Sequence, residues 1–256
     1  MNKLFSLPAL AFEELTLFER ASGEARLASS REFTLSKAFY PFVGLVVGVF
    51  VFFIHEAISF VLPETIADLF VVVGIAFFSN GKHLSGMVLV LNQFIPKKLN
   101  KPFWKNIEQL FKMPPLIGIV VVAVLWLWLF GLLSAPFEVK RQIILVLPVA
   151  SHWGIFLFSV LGFFEPLNAN DESKTNEGGS LREKSSSLTF AFAFTFASFG
   201  ILLNLNGLII LLIMSVSLVL IAKMISNKSP LSRKAVLGAV HEFSGIIFLL
   251  LSYCIL

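Results

Sequence analysis

The 256-residue chain has few charged residues and a single cysteine, and both shortages restrict what kind of protein it can be. Charged residues make up 14% of the sequence and hydrophobic residues 57%, with a mean hydropathy of +0.86. A soluble fold would have to bury several uncharged runs of about 17–25 residues, the length that crosses a lipid bilayer. The lone Cys254 excludes an intrachain disulfide and a multi-cysteine metal site. The composition is therefore that of an integral membrane protein.

Sequence motifs for nucleotide binding and for nucleophilic catalysis are also absent. The chain has no G-x-x-x-x-G-K-[ST], no G-x-G-x-x-G and no G-x-S-x-G. Magnesium-dependent phosphoryl transfer needs clustered carboxylates, but the only acidic residue between Gly74 and Gly131 is Glu108. The sequence alone therefore predicts no metal ligand and no catalytic residue.

Long apolar runs dominate what is present and predict an all-α, polytopic integral membrane helix bundle with about seven transmembrane helices. The Phe-rich fifth run alternates like a strand, but an isolated strand cannot satisfy its backbone in lipid, so it is interpreted as a helix. Six or eight spans remain alternatives. The predicted spans are residues 38–53 (extending as far as 62), 66–78, 115–133, 142–164, 188–203, 208–222 and 235–256.

Positive charge predicts the orientation. With seven spans, 18 of the 20 Lys and Arg residues fall on the side of the N-terminus, and the other two are Lys140 and Arg141. The positive-inside rule then places the N-terminus in the cytoplasm and the chain in the cell inner membrane as a multi-pass protein. Residues 1–37 are predicted to be a cytoplasmic N-terminal segment, in which 5–18 form an amphipathic stretch suited to the membrane surface and not a signal peptide.

The remainder, residues 38–256, is predicted to be a single membrane domain with cytoplasmic loops near 79–113, 165–187 and 223–235. The loop at 165–187 is Ser-, Asn- and Gly-rich and is interpreted as flexible. Residues 204–207 predict a tight turn between the fifth and sixth spans.

Two local patterns leave alternatives open. Gly44 and Gly48 form a small-xxx-small pattern, which is either a close helix-packing face or a chance glycine pair in a membrane helix. Residues 79–86 interrupt an apolar run, and they are either a break that lines a cavity or the aqueous end of a helix.

Ionisable residues inside apolar spans are functional-site hypotheses by default. This favours His152, His241 and Glu242, although lone membrane histidines are more often packing residues. His55 and the adjacent Glu56 are interpreted as the wet end of the first span, with a buried functional pair as the alternative.

Three segments resemble motifs of the cobalamin synthase (adenosylcobinamide-GDP ribazoletransferase) family. Residues 40–48 read Tyr-Pro-Phe-Val-Gly-Leu-Val-Val-Gly, residues 83–86 read His-Leu-Ser-Gly, and residues 237–242 read Leu-Gly-Ala-Val-His-Glu. The resemblance runs from residue 40 nearly to the C-terminus. It implies a polytopic membrane enzyme that joins α-ribazole to adenosylcobinamide-GDP and releases GMP, with Mg²⁺ held by motif aspartates.

The chain departs from that family at its acidic positions. The three motif aspartates correspond to Ser85, Leu89 and Asn92, another aspartate corresponds to Ala235, and an arginine of the fourth span corresponds to His152. Leucine cannot ligate a cation, and asparagine offers only a neutral oxygen. The resemblance therefore implies the fold, whereas the magnesium site is not carried over.

Two functions compete on these grounds. The favoured one is a catalytically degraded relative, a possible pseudoenzyme that serves late cobalamin (nucleotide loop) assembly as a corrinoid-binding or scaffold protein. The alternative is an active ribazoletransferase. No cofactor is expected, or Mg²⁺ if the alternative holds; the expected partners are the lipid bilayer and a corrinoid ligand or cobalamin-assembly proteins, with no nucleic acid. The substrate-binding candidates are Lys82, His83, Ser85, Gly86, Asn92, His152, His241 and Glu242.

Overall fold

The computed structural model describes residues 3–16, 30–79, 82–94, 126, 137–161, 181–226 and 233–256. Within these ranges all regular secondary structure is helical, and a 3-10 turn at Lys37–Phe39 joins α2 to α3. The helices are α1 (Lys3–Leu15), α2 (Ser30–Ser36), α3 (Tyr40–Ser59), α4 (Glu64–Phe78), α5 (Lys82–Phe94), α6 (Phe137–Val160), α7 (Leu181–Ser226) and α8 (Arg233–Ile255).

Four of the described segments are long and apolar enough to cross a bilayer: Thr34–Ser59, Glu138–Val160, Leu188–Met224 and Val236–Ile255. They confirm a helical membrane protein in a lipid environment. The count of seven stays a prediction, because α4 has only 15 residues and the predicted span at 115–133 lies outside the described residues except for Trp126.

Helix α6 lies at the centre of the bundle. It contacts α3, α7 and α8. Of its most apolar stretch 83% is buried, against 33% for that of the segment containing α3. Its large side chains Ile143, Leu147, Trp153 and Phe156 are fully buried. A helix that is apolar on all faces is expected to be surrounded by others, and α6 follows this rule.

The glycine pair of α3 is the surface on which α6 packs. A Cβ built on Gly44 would lie 2.6 Å from the carbonyl oxygen of Pro148, and one built on Gly48 would overlap the carbonyl oxygen of Leu145. Only residues without a side chain let the two backbones approach this closely. The packing alternative for this pattern is therefore confirmed.

Helix α7 is two helical segments joined by a sharp break at Asn204. This residue has φ 57° and ψ −147°, the only positive φ among the described non-glycine residues. The chain reverses there, as a close approach shows: a Cβ on Gly207 would overlap the carbonyl oxygen of Phe199, eight residues earlier. The predicted turn at 204–207 and the helical interpretation of the Phe-rich run are both confirmed.

The C-terminal end of the predicted polar loop differs from the prediction. Residues 181–187 were assigned to a flexible loop, but α7 already begins at Leu181, and residues 165–180 lie outside the described part. The amphipathic stretch at 5–18 lies in the helix Lys3–Leu15 as far as residue 15, and this helix buries Ala11 and Leu15 in the core of the bundle.

Candidate functional site

Four of the predicted site residues meet where α5, α6 and α8 pack together. His83 comes from α5, His152 from α6, and His241 and Glu242 from α8. Their exposed fractions are 9%, 4%, 1% and 3%, respectively. Such residues are costly to bury in a membrane protein, so their convergence makes this place the candidate functional site.

A close contact between α6 and α8 brings two of these residues together. A Cβ on Gly154 would overlap the hydroxyl of Ser244, so α8 approaches α6 at a point where α6 has no side chain. This contact lies within one helical turn of His152 on α6 and of His241 on α8. Helix α5 packs on the adjacent face of α8 and adds His83.

The three imidazole rings form one cluster, which we call the histidine triad (His83, His152 and His241). The rings of His83 and His241 stack, with their centroids 4.1 Å apart and an interplanar angle of 22°. The ring of His152 stands nearly perpendicular to both, with its centroid 5.0 Å from that of His241 and 6.5 Å from that of His83. No two of these histidines are neighbours in the sequence, so the packing of three helices creates the triad.

Hydrogen bonds orient two rings of the triad. His152 Nδ1 lies 2.7 Å from the carbonyl oxygen of Pro148, one turn earlier on α6. A carbonyl oxygen can only accept, so this Nδ1 carries the proton and leaves Nε2 as the acceptor of the neutral ring. His241 Nδ1 lies 3.1 Å from Glu242 Oε1, and an ionised carboxylate there fixes the same tautomer.

A carboxylate inside a membrane span is expected to pair within the bundle, and for Glu242 the sequence offers His83, Lys82 and His152 as partners. The partner that the structure describes for it is His241, its neighbour in the chain. The two residues are adjacent in the chain, and the contact forms because both side chains turn toward each other inside the bundle.

The triad faces a cavity of about 10 Å³, close to the smallest volume that holds one water molecule. The polar groups on its wall include Thr16 of the N-terminal segment and Ser79 at the end of α4. Their hydroxyls donate to backbone carbonyls of their own helices, at 2.6 and 3.0 Å, and keep lone pairs as acceptors. Since Ser79 and His83 both line this space, the interruption at 79–86 has the features of a cavity-lining break.

The remaining candidates lie on α5. Gly86 is buried, whereas the side chains of Lys82, Ser85 and Asn92 lie outside the described part of the structure. Leu89, at the position of a family aspartate, is 49% exposed. An apolar side chain on the outer surface of α5 thus stands where the family has that aspartate.

Magnesium, which the resemblance implies, does not fit the described residues of this site. Mg²⁺ requires oxygen ligands in near-octahedral geometry. The described groups around the triad offer one carboxylate, that of Glu242, and three imidazoles. This donor set is nitrogen-rich and unsuited to a hard cation.

A second polar cluster, which sequence reasoning missed, links α3, α4 and α6. Lys140 Nζ lies 2.9 Å from Glu64 Oε1 and 2.7 Å from Asp68 Oδ2. His55 Nε2 lies 3.3 Å from Asp68 Oδ1. His55 is fully buried, so its interpretation as the wet end of the first span is wrong.

The same cluster continues on its more exposed side. Arg141 binds the carboxylate of Glu56 through two nitrogens, with Nε 2.9 Å from Oε1, and its third nitrogen lies 3.3 Å from Oε1 of the exposed Glu138. The sequence signal for this cluster was the i, i+4 pair of acids on α4 together with Lys140 and Arg141, the two basic residues on the far side of the predicted topology.

The ligand atoms of His55, Glu64 and Asp68 lie close enough together to hold a metal ion. However, the ammonium of Lys140 already bridges the two carboxylates and supplies the cation that they require. Lys140 and His152 are twelve residues apart on α6, about 18 Å along the helix axis. The two clusters are therefore separate.

Comparison with known proteins gives one match. The family model of cobalamin-5-phosphate synthase matches residues 9–90, about a third of the chain. No curated protein and no solved structure gives a significant match. The matched range includes α3, α4 and His83, whereas His152, His241 and Glu242 lie beyond it.

Proposed function

We propose that the chain is a member of the cobalamin synthase family and acts in late cobalamin assembly as a catalytically degraded relative that binds a corrinoid or scaffolds the other assembly proteins. The family match over residues 9–90 supports this membership and the role in late cobalamin assembly. The loss of catalysis is the part of this proposal that rests on the site.

The observation that carries the proposal is the side chain at position 89. Catalysis in the family is expected to need aspartates that converge on Mg²⁺, at i, i+4 and i+7 of one helix face. At the middle position this chain has Leu89, which is half exposed on α5 and has no ligand atom. Electrostatic stabilisation is usually the largest contribution to phosphoryl transfer, so its loss removes the reaction rather than slowing it slightly.

The corrinoid part of the proposal rests on the family. The cavity beside the triad holds about one water molecule, so the corrinoid ring would bind outside it. The proposed orientation places the N-terminus in the cytoplasm, which follows from the distribution of Lys and Arg. The proposed location in the inner membrane rests on the family. The ion-pair cluster of Lys140 and Arg141 then lies toward the opposite side.

Turnover and binding are measured together to test this function. The purified chain in lipid nanodiscs is incubated with adenosylcobinamide-GDP, α-ribazole and Mg²⁺, GMP release is followed by chromatography, and corrinoid binding is followed by quenching of tryptophan fluorescence. We expect corrinoid binding without GMP release. Glu242→Gln should weaken binding, whereas the matched variant Glu138→Gln, at an exposed position, should bind like the unmodified chain.

Magnesium-dependent GMP release, or rescue of a strain that lacks cobalamin synthase, would return the chain to the ribazoletransferases. Failure to bind adenosylcobinamide-GDP would remove the corrinoid from the proposal. Capture of a cobalamin-assembly enzyme by the same nanodiscs would support the scaffold role.

A further inference from the structure

The histidine triad offers the donor atoms of a site for a transition-metal ion. Imidazole nitrogens suit zinc, nickel, copper and related divalent ions, whereas magnesium prefers oxygen ligands. Each of the three rings lines the same cavity, and each is at least nine-tenths buried. From this geometry we propose that His83, His152 and His241 bind one divalent transition-metal ion of the zinc class, with Glu242 as a positioning residue.

The hydrogen bonds of two rings support this assignment. Histidines that ligate a metal almost always donate their other ring N–H to a backbone carbonyl or a carboxylate, which fixes the tautomer and the ring orientation. His152 uses the carbonyl of Pro148 for this, and His241 uses the carboxylate of Glu242. Both rings therefore keep Nε2 as the atom with a free lone pair, and both acceptors come from the same helix as the ring that they orient.

The rings must move to hold an ion. Among the described residues, the ligand atoms that already lie within 4.8 Å of one another are those of His55, Glu64 and Asp68, and the triad does not yet meet this spacing. Three imidazoles on one tetrahedral zinc, with Zn–N distances of about 2.1 Å, hold their ring centres about 5 Å apart. The observed separations are 4.1, 5.0 and 6.5 Å. The pair formed by His152 and His241 already has this spacing, while His83 must turn out of its stack on His241 to complete the set.

Charge also favours the assignment. A divalent ion buried among neutral imidazoles needs a nearby anion, because an uncompensated charge is costly in a low-dielectric interior. Glu242 lies next to the triad and is 3% exposed, so its carboxylate supplies that anion. The cavity of about 10 Å³ is close to the size of one small species, such as the ion itself. The proposal does not depend on corrinoid binding or on catalysis.

Direct metal binding tests the proposal. The chain is purified with an affinity tag that contains no histidine, stripped with a chelator and titrated with Zn²⁺ in excess Mg²⁺, and bound metal is counted by mass spectrometry. We expect one Zn²⁺ per chain, a melting temperature that rises with Zn²⁺, and visible absorption bands of a four-coordinate ion when Co²⁺ replaces Zn²⁺.

Substitutions locate the bound ion. His152→Gln and His241→Gln should each abolish stoichiometric binding, whereas Glu242→Gln should weaken it about 10–100-fold while the chain still folds. His55→Gln, a buried histidine in the separate cluster, is the matched control and should bind like the unmodified chain. Circular dichroism of each variant confirms that it retains its helices.

Several results would overturn the proposal. These are the absence of stoichiometric Zn²⁺ in the unmodified chain, competition by Mg²⁺ at equal concentration, and unchanged binding in the folded triad variants. Loss of binding in His55→Gln alone would overturn it too, because the ion would then lie in the cluster of Glu64 and Asp68.

Discussion

Replacing Lys140 with methionine removes a cation from the buried side of the ion-pair cluster while keeping a long apolar stem. The ammonium holds the carboxylates of Glu64 and Asp68 at 2.9 and 2.7 Å. Glu64 is half exposed and can be solvated, but Asp68 is 5% exposed. The variant therefore leaves the buried carboxylate of Asp68 without its lysine, and His55, 3.3 Å away, is the partner that remains.

Breaking a buried pair in this way costs about 3–5 kcal/mol of folding stability. For a chain of this size the loss corresponds to a fall in melting temperature of about 6–20 °C. The melting temperature is measured by circular dichroism in detergent micelles, with the same detergent and protein concentration for every variant. The double variant Lys140→Met, Asp68→Asn removes both charges and should recover most of the loss.

Arg141→Met provides the matched control because it removes a cation from the next residue. The Arg141 side chain is about one-third exposed, and that of its partner Glu56 is about one-quarter exposed. Solvent therefore screens this ion pair, and its loss should lower the melting temperature much less than the loss of Lys140 does. Equal falls for Lys140→Met and Arg141→Met, or a double variant as unstable as the single one, would refute this reasoning.

Three further outcomes follow from the packing and the topology. Gly48→Leu should destabilise the bundle by at least about 1–3 kcal/mol, because the new side chain would overlap the backbone of α6. Gly74→Ala, whose Cβ meets only a valine methyl at 3.3 Å, should be tolerated, and equal melting temperatures for the two variants would contradict this. Asn204→Gly should leave stability unchanged or raise it, because glycine adopts positive φ without strain, and a clear loss would show that the Asn204 side chain holds the break. In a chain whose Cys254 is replaced by serine, a maleimide that cannot cross membranes should label a cysteine at Asn106 only in inverted vesicles and one at Leu256 only in right-side-out vesicles. Labelling of both from one side would exclude seven spans.

Hydropathy and spacing predicted the parts of the fold that depend on local sequence. The apolar runs became α3, α6, α7 and α8 because hydrocarbon leaves the backbone few other ways to form hydrogen bonds. Gly44 and Gly48 predicted a packing face, and residues 204–207 predicted a chain reversal, because glycine and asparagine have few structural alternatives there.

The candidate site was predicted as a set of residues but not as an arrangement. His83, His152, His241 and Glu242 were each identified from their positions in spans or motifs, and the structure brings them together. That three rings contact one another depends on which faces of α5, α6 and α8 meet, and a single sequence does not reveal this.

The ion-pair cluster could not be predicted for a related reason. Lys140 binds residues 76 and 72 positions earlier, and Arg141 binds one 85 positions earlier. Over such separations, opposite charges in a sequence say nothing about contact. His55 was therefore assigned to an aqueous end, although packing buries it completely.

The direction of these pairings affects the order in which the membrane domain is built. The three carboxylates of α3 and α4 are translated before Lys140 and Arg141, the cations of α6 that bind them. Lys140 and Arg141 stand near the start of α6, so α6 packs onto a pair of helices that already offers three acidic partners. The earlier helices thereby act as a receptor for the later one, and deleting their carboxylates should impair the docking of α6 as well as the stability of the finished protein.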